Sequence, residues 1–377
     1  MSNSQDFILN NAIEVGKDTK VTLGTITSGT VDLSTGNYFA ETLAGNTTYV
    51  FSNPSAVQSF QLEVTGGIGS GYALGDATYD GVSFSVSGQE SNVRDIEFKP
   101  DGTKFYITGG GVDTVFQYSC STPFDISTAS YDSVGFSVVS EETNPTGIAF
   151  KTDGTKMYIC GSTGDDVNEY NLSTPWDVST ASFVTNFSVS AQAPNPNGVE
   201  FKPDGTKMYV VESGAIEQYS LSTAWDLSTA SYDSVSFSFS NQDTASRKVY
   251  FDASGTTMLM VGATGNNVYS YTLSTAWDVS TAWYDGVSFS IATETTVPYG
   301  LSFSDDGTKM FISSDTGGNI YQYSTYSKST ITWPASVQWP AGITPILPEA
   351  GETDLYTFVT DDSGTTYIGL HTADNLS

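Results

Sequence analysis

Between residues 145 and 172 the apolar side chains come in short runs, "GIAFK", "TKMYIC" and "DVNEYNL", each broken by a turn-forming stretch before a helical period could develop. A further run, "YDSVGFSV" at 131–138, alternates large apolar with small polar residues. That period of two sets one face of a strand on a core and the other in water.

The same four runs return at a fixed interval. The turn "DGTK" stands at Asp101, Asp153, Asp204 and Asp306, with "SGTT" at Ser254 in the same place, in steps of 52, 51, 50 and 52 residues. Asp-Gly between two β-rich runs predicts a hairpin. Four short antiparallel strands in a unit of about 50 residues predict one blade of a β-propeller, and five units predict five blades. The fourth-strand motif occurs before the first turn, at Ala77 to Ser87, and is missing after the fifth. Residues 78–87 are therefore expected to pair beside Ile320 to Tyr323 and close the ring, which removes a loose edge. The fourth unit departs most from the pattern, at "YFDASGTTMLMVG" (250–262), so its hairpin is the least secure.

Between third and fourth strands lies the segment "ST(P/A)(W/F)D(V/L/I)ST", copied at 121–128, 173–180, 222–229 and 274–281. It should form the outer corner of each blade, with Ser, Thr and Asp bonding nearby amides and the aromatic plugging a gap. The competing reading makes Trp176, Trp225 and Trp277 stacking surfaces for a sugar. Lys99, Lys104, Lys151, Lys156, Lys202, Lys207 and Lys309 recur beside the first hairpin and are expected to pair with acidic neighbours in solvent. No corner copy follows the fifth third strand, where the chain exits.

The flanks do not repeat. "GTVDLS", "NYFAETL", "NTTYVFSNP" and "SFQLEVTGG" before the ring, and "STITWPASVQWPAG" and "TDLYTFVTDDSGTTYIGL" after it, read as short strands of one domain cut in two. The expected organisation is an N-terminal docking segment 1–27, a split β-sandwich-like anchoring module 28–72 and 329–377, and a five-bladed β-propeller 73–328. "GGIGSGYALGD" (66–76) reads as a glycine-rich hinge.

The flank motifs "LAGNTTYVFSNP" (43–54), "ITWPASVQWPAG" (331–342) and "FVTDDSGTTYIG" (358–369) resemble a β-rich module of tailed-phage virion proteins, tail-fibre and capsid-fibre-like proteins among them. The propeller resembles five-bladed insertions with "GxxFxPDGTKMYV" repeats. The resemblance implies a virion protein made in the host cytoplasm, with other virion proteins as partners and a homo-oligomer, a trimer by analogy.

Composition fits an all-β chain, rich in Ser, Thr, Gly, Tyr and Val. The formal charge of −29 repels phosphate backbones and anionic headgroups, so neither nucleic acid nor membrane is an expected partner. The start has no basic segment followed by an apolar run, and nothing approaches the roughly 20 apolar residues of a span. Cys120 and Cys160 fall at different places in their repeats and are expected to be free thiols.

Catalytic chemistry finds little support. The single histidine, His371, lies near the C-terminus with no second His or a Cys beside it in sequence, and no phosphate-cradling or dinucleotide motif occurs. Acidic pairs such as Asp165-Asp166 could hold calcium through oxygen ligands alone. The reading is a virion structural protein without catalytic residues or cofactor, whose anchor assembles and whose ring contacts the host surface, through a glycan among other targets. A carbohydrate-binding lectin-like propeller is the alternative, and a glycan-processing enzyme the third.

Overall fold

A computed structural model of the protein describes residues 21–43, 45–67, 71–327, 329–348, 351–374 and 376. The described residues are all-β, with thirty strands and no helix longer than a three-residue turn. Most of the expected docking segment, residues 1–20, lies outside them; within the rest, Ile26–Thr27 pairs with Thr30–Asp32, so strand structure begins before residue 28. The chain divides into two compact units, one formed by residues 1–69 with 328–377 and the other by 70–327.

In the split unit a five-stranded sheet runs Val337–Gln338, Tyr367–Ala373, Thr353–Thr360, Gln58–Thr65, Tyr38–Thr42. Its central pair joins the two chain flanks: Thr353–Thr360 and Gln58–Thr65 are antiparallel over eight matched positions. Val31, Phe39, Tyr49, Phe60, Leu62, Tyr356, Phe358 and Tyr367 share one buried core. Trp333 stacks on Tyr49 and meets Trp339 edge-on, so both tryptophans of the Trp-Pro motif serve that core.

The continuous unit holds five four-stranded antiparallel sheets, each hydrogen-bonded within itself. The second sheet shows the order common to all: Pro145–Phe150, Lys156–Gly161, Asp166–Leu172, Ala181–Ser188. The fifth takes its fourth strand from the start of the unit. Thr78–Ser85 lies antiparallel to Asn319–Ser324, with Phe84 opposite Ile320 and Tyr79 opposite Tyr323, as the missing motif required. The five first strands, Val93–Phe98, Pro145–Phe150, Gly198–Phe201, Ser246–Phe251 and Pro298–Phe303, adjoin in cyclic order, the last beside the first.

Every corner is built alike. Phe124, Trp176, Trp225 and Trp277 sit at φ between 55° and 66°. Each donates its backbone N–H to the carbonyl of the hairpin glycine, Gly102, Gly154, Gly205 or Gly255. The ring covers that glycine so closely that a Cβ on Gly205 would stand 2.2 Å from the Trp225 indole. The next residue, Asp125, Asp177, Asp226 or Asp278, accepts from the amide two residues on and caps a short 3-10 turn. The sheets are stitched through these corners. The side chains of Gln322, Gln117, Glu169 and Gln218 accept from the amides of Ile126, Val178, Leu227 and Val279 in the next sheet. Tyr106, Tyr158 and Tyr209 donate to the carbonyls of Trp176, Trp225 and Trp277.

Two expectations need correction. The stretch read as a hinge supplies the fifth corner: Tyr72, at φ 60°, donates to the Gly307 carbonyl and covers Gly307, and Leu74–Asp76 forms the turn before Thr78. Ala73 stands where the other corners have Asp, so the motif vanished while its geometry stayed. The fourth hairpin is also regular, with Phe251 opposite Met258. There Asp252 accepts from the amide of Thr257, where the first three turns have a Lys-Asp contact.

Candidate functional site

The first strand of each sheet carries "xGΦxF" in its simplest form, where Φ is aliphatic, as in "TGIAF", "NGVEF" and "YGLSF". In the first and fourth sheets the glycine is replaced by a charge, Asp95 in "RDIEF" and Lys248 in "RKVYF". The cyclic order of the strands brings these two together: Lys248 Nζ lies 2.9 Å from Asp95 Oδ2, both side chains 1% exposed. Lys248 also donates to the carbonyls of Val199 at 2.7 Å and Ile148 at 3.1 Å, while Asp95 accepts from the amides of Ile96 and Ile148. The pair thus bonds four of the five first strands. A Cβ on Gly198 would come within 2.7 Å of the Arg247 carbonyl, and one on Gly300 within 2.7 Å of Asp95 Cα. The space that glycine vacates is filled by the ion pair.

Two residues further along the strands stand Glu97 and Glu200, beside Tyr250 in the fourth sheet. Glu200 Oε2 is 3.7 Å from Lys248 Nζ, and Glu97 Oε2 is buried with no hydrogen-bond partner. Burial, then the neighbouring Glu200 charge, lifts Glu97 well above the usual carboxylate range. Burial also lifts Asp95 and Glu200, with Lys248 pulling both back. For Lys248 burial works against the charge, but Asp95, Glu200 and Glu97 outweigh it and keep the ammonium protonated. Of the three carboxyls around the one ammonium, Glu97 is raised furthest, having neither an ion-pair contact nor a hydrogen bond at Oε2 to offset its burial.

Next to Asp95 and Lys248, four of the five first strands carry a β-bulge. The registers skip Arg94, Thr146 and Arg247, and also Tyr299 with Gly300. A bulge re-aims the side chain it carries. Here it turns both arginines onto one ring: the Arg247 and Arg94 guanidinium carbons lie 4.7 and 5.7 Å from the Tyr299 centroid. Tyr299 Oη donates to Asn197 Oδ1 at 2.9 Å, and Arg247 Nη1 donates to the same oxygen at 3.2 Å. Arg94 Nε pairs with Asp315 at 3.1 Å, and its Nη1 donates to Asn144.

The residues singled out in the sequence are placed elsewhere. Trp176, Trp225 and Trp277 lie one to a corner, each packed on its glycine and on Phe150, Phe201 or Phe251. The fold does not bring them together. Asp166 is buried and accepts from Asn168 and Asn186 at 2.8 and 2.5 Å. Asp165, at φ 49°, has Oδ1 buried without a partner, and no third acidic or histidine ligand joins the two among the described residues. Among the described residues the group with metal-ligand spacing is instead Asp354, His371 and Asp374 in the split unit, with His371 Nε2 2.9 Å from Asp354 and its ring stacked on Tyr356. Cys120 and Cys160 are free and buried, their thiols pushed up to about 12 by burial. A cavity of about 490 Å³ lies at the first corner, lined by Pro123, Phe124, Asp125, Asp305, Asp306 and Gln322, among others.

Asp95, Glu97, Glu200, Lys248, Arg94, Arg247 and Tyr299 were not singled out in the sequence. Their signal was departure from the repeat: a charge in place of glycine, and the chain's two arginines at equivalent positions of two units.

No protein-family model matches the sequence, and no curated protein does. Among solved structures, a 6-phosphogluconolactonase candidate from Bacteroides uniformis is 12% identical with a TM-score of 0.38, over 53% of this chain and 55% of that one. A second such candidate, from Bacteroides fragilis, is 12% identical with a TM-score of 0.38, over 56% and 59%. A protein of unknown function from Desulfotomaculum acetoxidans is 9% identical with a TM-score of 0.38, over 74% and 90%. The chain thus spans less than two thirds of the first two. Likeness at this level carries neither fold nor activity across.

Proposed function

We propose that the continuous unit is a five-bladed β-propeller and that the protein is a non-enzymatic structural component of a tailed-phage virion, with the split unit as its assembly anchor. The observation that carries this reading is the pairing of Thr353–Thr360 with Gln58–Thr65. That pairing makes the flanks one domain, with 258 residues of repeat unit spliced into a single connection. The repeat unit in turn fastens its own ends through Thr78–Ser85 and so is complete without the flanks. An autonomous insert on a self-sufficient base suits a displayed head, and the virion assignment itself rests on the flank motifs.

The test is a chain with residues 70–327 replaced by a short Gly-Ser turn. It should fold, enter particles and form the same oligomer as the full chain, a trimer by analogy, with any loss of infection appearing at adsorption. A truncated chain that folds but is missing from particles overturns the division of labour. The lectin-like alternative is favoured by one observation, the polar end of the first strands where Arg94, Arg247 and Tyr299 meet. A glycan array probed with the full chain separates the two readings.

A further inference from the structure

The chain carries 42 acidic residues and only two arginines, and the fold sends both arginines to one place. We propose that Arg94, Arg247 and Tyr299 form a binding site for a carboxylate, presented by a uronic acid or by a small free acid. The assignment stands on this geometry alone and does not depend on either reading above.

Four observations carry it. The arginines occupy bulges in the first and fourth sheets and converge on a residue of the fifth, which the cyclic strand order places between them. The ring they flank is held in place, because Tyr299 Oη is bonded to Asn197. The guanidiniums are under-used: among the described residues they donate three hydrogen bonds, to Asp315, Asn144 and Asn197, and Arg247 Nε is buried without an acceptor. Access exists, since the Arg94 side chain is 19% exposed.

Charge then selects the ligand. Asp315 pairs with Arg94, so Arg247 is the guanidinium with no ion-pair partner among the described residues. That matches a monoanion better than a phosphate dianion, the more so in a molecule of charge −29 that repels every added negative charge. The planar guanidinium fork fits the planar carboxylate with two parallel hydrogen bonds, while Tyr299, 4% exposed between the two arginines, holds them in place. If the arginines served packing alone, cation–π contact would suffice and no acid would bind.

Calorimetric or NMR titration of the full chain tests this with acetate, glucuronate, glucose and inorganic phosphate. Acetate, glucuronate or both should bind, weakening with added salt, while glucose and phosphate should not. Glucuronate binding tighter than acetate identifies the sugar acid as the source, and equal binding identifies the carboxylate alone. Replacement of one charged hydrogen-bond donor, Arg247→Gln, should weaken binding roughly tenfold or more. Arg247→Lys should fail to restore it, because the charge returns without the fork. Arg94→Gln is the second variant should the first not fold, and the probe series on the unaltered chain decides without either. Absence of binding to both carboxylates at tens of millimolar, preference for phosphate, or unchanged affinity in a folded Arg247→Gln chain each overturn the assignment.

Discussion

The corners and the centre of the repeat unit belong to the same five sheets, yet they obey opposite rules. At the corners every sheet covers a glycine with an aromatic at positive φ, and in four of the five a carboxylate caps the turn and the neighbouring sheet's side chain bonds it. At the centre the sheets do different things. Where three first strands place glycine, the others place Asp95 and Lys248, and the residues just before these positions read Arg, Thr, Asn, Arg, Tyr around the cycle. Identical copies indicate a part each sheet needs for its own stability. Divergent copies at one shared centre indicate a part the whole unit needs once. The tryptophans of the opening motif therefore belong to the scaffold, and the site is sought where the repetition breaks.

The sharpest way to break this comparison is at the ion pair. Lys248→Met strands Asp95 in a site 1% exposed, and loss of one partner of a buried pair costs about 3–5 kcal/mol. Denaturant titration should show that loss, whereas the double change of Asp95 and Lys248 to apolar residues should recover much of it. A Lys248→Met chain as stable as the parent would remove the centre's claim to be a single coupled element. Next, Trp225→Ala empties a packing position 7% exposed and should cost about 3 kcal/mol. Carboxylate binding in that variant should be unchanged, since the corner and the arginines lie in different parts of the sheet. Weakened binding in a folded Trp225→Ala chain would couple regions held here to be separate.

Acidity separates the two regions without a large mutational effect. Glu97 titrates higher in the folded than in the unfolded chain, so the native state binds more protons in the interval between the two values. Its contribution is fully present below the unfolded value and is lost as pH rises through that interval. Glu97→Gln should therefore raise the denaturation midpoint at pH 8 and leave it unchanged at pH 4. The turn carboxylates behave in reverse. Burial nudges Asp101, Asp153 and Asp204 up, but hydrogen bonds from Lys99, Lys151 and Lys202 and from the following threonines hold each at about 2. Their contribution is present above the ordinary aspartate value and disappears as pH falls through about 2. The smallest effect is expected at the matching lysines: Lys202→Ala should change stability by no more than about 0.5 kcal/mol, because its partner Asp204 is 49% exposed. A calorimetric scan against pH measures both sets.

Much of this organisation was legible in the chain. The turns at Asp101, Asp153, Asp204 and Ser254, and the one at Asp306, marked five hairpins, and all five form. The misplaced "ATYDGVSFSVS" pointed to Thr78–Ser85 as the closing strand. Strand period and Asp-Gly turns are local properties, written in residues that touch one another along the sequence. Three of the seven turn lysines were legible for the same reason: Lys99, Lys151 and Lys202 each pair with an aspartate two residues away, whereas Lys104, Lys156, Lys207 and Lys309 reach the largely buried Asp132, Glu169, Asp233 and Asp80 instead of pairing in solvent.

What sequence alone determined, then, is the β content, the repeat and the Lys-Asp pairing within the turns, because each depends on neighbours within about ten positions, and the origin of the fifth sheet's fourth strand, because counting the repeats left one copy of that motif unmatched. Tertiary structure decided the rest. Tyr72 took the corner although its motif is absent, since backbone geometry at Gly307 demands a covering ring and not a particular spelling. Asp95 and Lys248 lie 153 residues apart in sequence, and nothing local announces that a charge in one strand answers a charge in another. Only the cyclic order of five first strands brings them into a shared low-dielectric space, where an unpaired charge is too costly to persist and a matched one becomes the centre of the unit.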